Sequence, residues 1–249
     1  MSGVRIASLL PSATEICYAL GLGDAVVGVS HECDFPPAAR TKPVLTSSRL
    51  DGNLESQAID DQVRSLVQEG LSIYAVDEVR LAQLQPTLVL TQDTCSVCAV
   101  PFVEVERATL RTLGPGARIV SLSPNTIEAL FADIIKIGGL VGTPGRAKTL
   151  VAAMRARLTR LQARTATLPR RTVLHLEWLE PPMVAGHWTP SLLLMAGKMG
   201  PEKKKMGPGL KVSAIMGPGL KVSAAQIDDQ AASVAHPAHG GTHGEKSGP

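Results

Sequence analysis

Over its first 142 residues the chain alternates short apolar runs with amphipathic stretches, joined by brief connections marked by Gly and Pro. That alternation constrains the fold more than any other feature. Val4 to Leu9 reads as a strand, and further strands are expected at 25–29, 73–75, 87–91 and 117–121. Between them, helices are expected from Ser12 to Gly21, at 58–69, at 77–84 and at 101–113; residues 31–57 read as irregular. Ser12 with Glu15 three residues on has the pattern of a capping box, in which each side chain satisfies an orphan backbone N–H of the other. A strand followed by a helix and another strand closes in parallel, so the pattern predicts an α/β fold with helices on both faces of a parallel sheet. Aromatic residues make up only 3% of the chain, so Ala, Val, Leu and Ile must build its core. That suits an α/β architecture better than a sandwich anchored on Trp and Tyr.

From Thr143 to Leu168 the pattern becomes one long helix with Pro144 near its start and an apolar stripe through Leu150, Val151, Met154, Leu158 and Leu161. No acidic residue occurs between Asp133 and Glu177, and Arg146, Lys148, Arg155, Arg157, Arg160 and Arg164 flank the stripe. These side chains read as snorkelling around an apolar face. A second α/β segment begins with an apolar strand from Arg171 to Glu177, and Trp178, His187 and Trp188 follow in a stretch rich in Pro and Gly. The pattern then stops: MGPGLKVSA at 206–214 recurs at 216–224, and 198–249 holds nine glycines and five prolines. Such a stretch buries too little apolar surface to offset its ordering entropy, so disorder is expected from 198. The resulting division is an N-terminal α/β lobe (1–142), a connecting helix (143–168), a partial second α/β lobe (169–197) and a tail (198–249).

Several functions are disfavoured. There is no Gly-x-Ser-x-Gly elbow, no Gly-x-x-x-x-Gly-Lys phosphate loop and no Gly-x-Gly-x-x-Gly after a strand, so the chain reads as a binder and not an enzyme. The formal net charge of +3 comes from the tail, where seven lysines face four carboxylates, and is too small to argue for nucleic acid. No apolar run is long enough to span a bilayer. No leader pattern opens the sequence, which gives the expectation of a cytosolic protein whose four cysteines are thiols or metal ligands.

In an open parallel sheet, ligands meet the loops that leave the carboxyl ends of the strands. Pro11, Ser12 and Thr14 follow the first strand; His31, Cys33, Asp34 and Phe35 follow the second; Thr91, Gln92, Cys95 and Cys98 follow the strand at 87–91. His31, Cys33, Cys95 and Cys98 form a chemically sensible set of soft ligands for zinc or iron. The alternatives are a redox dithiol and plain buried or ligand-contacting cysteines. Cys17, on the inner face of the first helix, reads as core.

Three stretches carry a family likeness: RIASLLPSATEICYALGLGDAVVGVSHECDFPP (5–37), TQDTCSVCAV (91–100) and EWLEPPMVAGHW (177–188). Together they resemble the cobalamin-binding branch of the class III substrate-binding proteins of ABC transporters, a fold that also takes siderophores and haem. The resemblance implies two parallel-sheet α/β lobes joined by one long helix, with a corrinoid or related metal chelate bound in the cleft between them and no chemistry performed on it. It places Pro11, Ser12, Thr14, His31, Asp34, Phe35, Thr91 and Gln92 on the first wall of the cleft and Trp178, His187 and Trp188 on the second. His187 reads either as a cobalt ligand or as a hydrogen-bonded loop residue, the latter favoured. A complete second lobe would need on the order of a hundred further residues. The second lobe therefore reads as truncated, with weakened ligand binding and uncovered apolar faces that favour a dimer or aggregate. Docking to an ABC permease is implied by the family and left open by this sequence.

Overall fold

A computed structural model of the chain describes residues 3–69, 71–93, 100–169, 171–173, 175–184, 186–196 and 198–199. Its centre is a four-stranded parallel sheet built from β1 (Ile6–Ser8), β2 (Val26–Val29), β5 (Leu88–Thr91) and β6 (Arg118–Ser121), in the order β2-β1-β5-β6. β3 (Thr46–Ser48) and β4 (Tyr74–Val76) stand apart as an antiparallel pair. In the register Ser8 is opposite both Val29 and Leu90, and Thr91 is opposite Ser121. All four strands therefore end at one edge, which is where the loops expected to carry chemistry emerge.

β1 has no solvent-facing side: Ile6, Ala7 and Ser8 are each fully buried. Its neighbours alternate with period two between the two faces of the sheet, as pleating requires. Ile6, Leu88 and Leu90 point into one core with α1 (Pro11–Ala19), α5 (Ile127–Leu140) and α6 (Pro144–Thr165), through Ala13, Ile16, Phe131, Ile134 and Val151. Ala7 and Val89 point the other way, into a smaller core with Leu45, Leu81 of α3 (Glu78–Leu84) and Val105 of α4 (Phe102–Leu113). α2 (Ser56–Gln68) buries no residue and lies at the periphery. Phe131, the largest fully buried side chain, contributes about 2–3 kcal/mol by leaving water. The parallel α/β class with helices on both faces is thus as expected.

Four details differ from the sequence reading. The capping box is not formed: α1 starts one residue earlier, with Leu10 as N-cap, Pro11 at the first position and no side-chain cap. Proline there needs no N–H partner and already has a helical φ, so it starts the helix unaided. Within 31–57 the chain forms β3, which pairs with β4 and takes that strand out of the parallel sheet. α5 was not anticipated; Thr126 caps it, its Oγ accepting from Ala129 N–H at 3.1 Å. The single strand expected from Arg171 is two pieces, β7 (Arg171–Thr172) and β8 (Leu176–Leu179).

α6 is a continuous rod about 33 Å long at 1.5 Å per residue. Arg155 on it pairs with Glu128 of α5 and lies 4.9 Å above the Phe131 ring, and Arg146 donates to Leu20 O at 3.1 Å. Those two arginines therefore do cover the apolar stripe, as snorkelling predicts. Beyond α6, β8 and β9 (Pro182–Val184) form an antiparallel hairpin, and α7 (Thr189–Met195) returns to α6, where Thr165 Oγ–H donates to Met195 O at 3.0 Å. β10 (Lys198–Met199) pairs in parallel with β7, the first step of a second α/β unit. Those two residues lie within the stretch expected to be disordered; the rest of that stretch, 200–249, is outside the described residues. Among the described residues no helix is long and apolar enough to cross a membrane.

The α5–α6 turn depends on close backbone approach. A Cβ at Gly138 would collide with Ala147 and lie 3.2 Å from Thr143 O, whereas one at Gly139 would meet nothing within 4 Å. Gly138→Ala should therefore cost about 1–3 kcal/mol by overpacking and lower the melting temperature by several degrees. Gly139→Ala should instead gain roughly 0.5–1 kcal/mol by removing an exposed helix-interior glycine. Paired thermal unfolding curves check both signs.

Candidate functional site

Four loops leave the carboxyl edge of the sheet, and a buried hydrogen-bond chain ties two of them together. Ser8, Thr14, Ser30 and Cys33 are all nearly or fully buried. Thr14 Oγ–H donates to Ser8 Oγ at 2.8 Å, and Ser8 Oγ–H donates to Leu10 O at 3.3 Å. With the Thr14 proton committed, the Cys33 thiol donates to Thr14 Oγ at 3.1 Å and accepts from Ser30 Oγ–H at 3.3 Å. Every proton in the chain finds an acceptor, so the exit of β1, the first turn of α1 and the exit of β2 are locked as one unit.

That lock sets what the second loop displays. Cys33 faces inward while Asp34 and Phe35 face out, and Phe35 is 59% exposed. Asp34 has only an exposed partner, Arg40, at 3.6 Å. His31 is pinned on the other side of the loop: its N–H donates to Thr46 Oγ at 3.1 Å and its Nδ1 shares a 2.7 Å hydrogen bond with the same hydroxyl. Its Nε2 lies 3.3 Å from Glu32 Oε1 without hydrogen-bond alignment, so this contact is an ion pair only when the ring is protonated. The Tyr74 ring stacks at 5.3 Å, and burial together with nearby Glu32 pushes its hydroxyl pKa up.

Of the expected metal set, His31 and Cys33 are described, and they are engaged separately. The His31 ring is tied to Thr46, the Cys33 sulfur sits in a cage of hydroxyls, and Cys95 and Cys98 lie outside the described residues. Among the described residues no group of three His, Cys, Asp or Glu side chains could hold a metal ion. Cys17 is core, as expected, and burial pushes its thiol up to about 12, which leaves it protonated and inert at neutral pH.

Of the other rim residues, Pro11 and Ser12 are exposed, Gln92 is half-buried, and Thr91 is buried with no partner for its hydroxyl among the described residues. From the far side, Trp178 turns its indole N–H back to Glu180 O at 2.8 Å. Trp188 packs its ring against the core of α1, α5 and α6 instead of standing free in a loop. His187 Nδ1 lies 2.8 Å from Asn125 Oδ1, in the loop after β6. Ser8, Ser30, Thr46 and Asn125 were not singled out from the sequence. Ser8 and Ser30 could have been found as the last polar residue of a buried strand and the first after one; Asn125 carried no such signal. Beside the rim, a cavity of 530 Å³ opens between α1, α5 and α6, with Ser12 and Phe35 at its mouth and Ile16, Ile134 and Met154 along it.

A parallel α/β unit with its loops gathered at one edge, followed by a single long helix and the start of a second α/β unit, defines a substrate-binding architecture. The chain belongs to the periplasmic binding protein family, whose pattern matches residues 6–200; it is a family of binding proteins, not enzymes. A vitamin B12-binding protein of Photorhabdus laumondii is 27% identical over 164 residues, covering 66% of this chain and 48% of that protein. An ABC transporter substrate-binding lipoprotein of Bacillus subtilis is 26% identical over 170 residues, covering 67% of this chain and 43% of that protein. The chain thus spans about half the length of these relatives. Among solved structures, the periplasmic vitamin B12 binding protein BtuF of Vibrio cholerae matches 84% of this chain and 69% of that one, with 25% identity and a TM-score of 0.55. A periplasmic haem-binding protein of Pseudomonas aeruginosa shares the fold at a TM-score of 0.58 and 21% identity, over 84% and 67% of the two chains.

These findings correct the expected cytosolic location. The family is one of periplasmic binding proteins and the matched structures are periplasmic, which points to an extracytoplasmic site. The expectation had rested on the first residues lacking a leader pattern.

The buried lock yields a direct test. Thr14→Val keeps the shape but removes both the donor to Ser8 and the acceptor for Cys33, at a cost of about 1–3 kcal/mol. Denaturant unfolding should show that loss, whereas Cys33→Ala with Thr14 intact should cost less than Thr14→Val.

Proposed function

We propose that the chain binds a metal chelate and, within that class, a corrinoid of the cobalamin type, held at the carboxyl edge of the sheet and released unchanged. The carrying observation is Phe35, 59% exposed on a loop whose backbone is fixed by four buried side chains. A large aromatic held out in water on a rigid support is an unfilled contact surface, suited to the flat face of a macrocycle. The B12-binding relatives support the corrinoid over other chelates. In this reading Pro11, Ser12, Asp34, Phe35 and Gln92 line one wall and His187 with the flank of Trp178 begins the other, while Thr14, His31, Thr91 and Trp188 hold the walls in place. The lobes divide functionally at 142/143 and 168/169, with the tail from 198 outside the site.

Docking to an ABC permease is the partner that family membership suggests.

Titration with cyanocobalamin, followed by thermal shift and visible absorbance, tests this reading. The wild-type chain should show a saturable shift, and Phe35→Ala, exposed and so harmless to the fold, should weaken it about tenfold, the equivalent of ~1.4 kcal/mol. Absence of a saturable response in the wild type to both cyanocobalamin and aquocobalamin would refute the corrinoid assignment.

A further inference from the structure

His187 stands in the turn between β9 and α7 with φ +51, in the left-handed region that a non-glycine residue seldom occupies. Its neighbour Trp188, ring centroid 5.9 Å away, is anchored in the α1/α5/α6 core, and its Nδ1 lies 2.8 Å from Asn125 Oδ1 across 62 residues of sequence. An amide oxygen only accepts, so Nδ1 carries the hydrogen and donates it. In the neutral ring the lone pair then lies on Nε2, which has no hydrogen-bond partner among the described residues of this exposed side chain. A ring whose one N–H is held by a carbonyl oxygen and whose other nitrogen is free is the arrangement that metal-binding histidines adopt.

Building on the corrinoid reading, we infer that His187, positioned by Asn125, is an axial ligand to the cobalt of the bound corrinoid. The step is a ligand exchange. The bond from Co(III) to its upper-face water breaks, the Nε2 lone pair forms a bond to cobalt, and water leaves; no electron or proton is transferred. A corrinoid whose upper position holds cyanide cannot make this exchange. The site therefore selects corrinoids with a replaceable upper ligand.

The test is visible-absorbance titration of the full chain with aquocobalamin and, separately, cyanocobalamin. Aquocobalamin should take on the band shift of imidazole coordination and bind at least tenfold more tightly than cyanocobalamin, whose spectrum should not move. His187→Gly, chosen because glycine accepts the positive φ, should abolish the shift and bring aquocobalamin down to the level of cyanocobalamin; added free imidazole should restore the shift. Asn125→Ala should weaken aquocobalamin ten- to hundredfold, as loss of a partner behind a metal-bound histidine does, with a smaller effect on cyanocobalamin. A shift that survives in His187→Gly, or equal wild-type affinities for the two corrinoids, overturns axial ligation and leaves the corrinoid reading standing. Binding of neither corrinoid overturns both.

Discussion

Everything else in the molecule depends on the double-sided burial of β1. A three-residue strand with no solvent face can be stable only between two layers, and Ile6 and Ala7 point into separate cores. That requirement recruits β2 and β5 as parallel neighbours and forces the crossover helices onto both faces. Because the register aligns the strand ends, the same packing also gathers the polar loops at one edge. The candidate site is thus a by-product of how the core closes.

The edge is then made rigid by polar groups instead of apolar ones. Ser8, Thr14, Cys33 and Ser30 are buried where apolar residues could have packed, yet each hydrogen bond is satisfied, so the chain of hydroxyls and thiol fixes the loop angle without an orphaned donor. Such a network specifies one geometry where a greasy contact would tolerate several. In the proposed site an exposed phenyl ring and an imidazole nitrogen without a partner among the described residues gain their value from that rigidity. The β9–α7 turn is tied to the first unit by Trp188 in the core and by the His187–Asn125 hydrogen bond.

Much of this was legible in the residues, for identifiable reasons. The short apolar runs marked the parallel strands, and Pro144 with its apolar stripe marked α6. α5 escaped because Ile127–Leu140 is apolar over most of its surface, as a helix packed between a sheet and α6 must be, and so offers little polar face to show a helical period. β3 escaped because its three residues, Thr46–Ser48, are polar and sit in a stretch without period-two signal, so the strand expected at 73–75 was read into the parallel sheet instead of into an antiparallel pair. Cys33 shows why residue types alone leave the site open: a thiol that suits zinc also suits a buried place among hydroxyls, and only distances separate the two. Asn125 is invisible without the fold, since its partner is 62 positions away.

The central claim is that the carboxyl edge of this sheet is the ligand surface. Hydrogen–deuterium exchange of the full chain with and without cyanocobalamin tests it most directly. The account predicts slowed exchange confined to the loops at 10–15, 30–36, 91–93 and 122–126 and to the turn at 186–189. Protection centred instead on the outer faces of α2 or α4, with those loops unchanged, would contradict it.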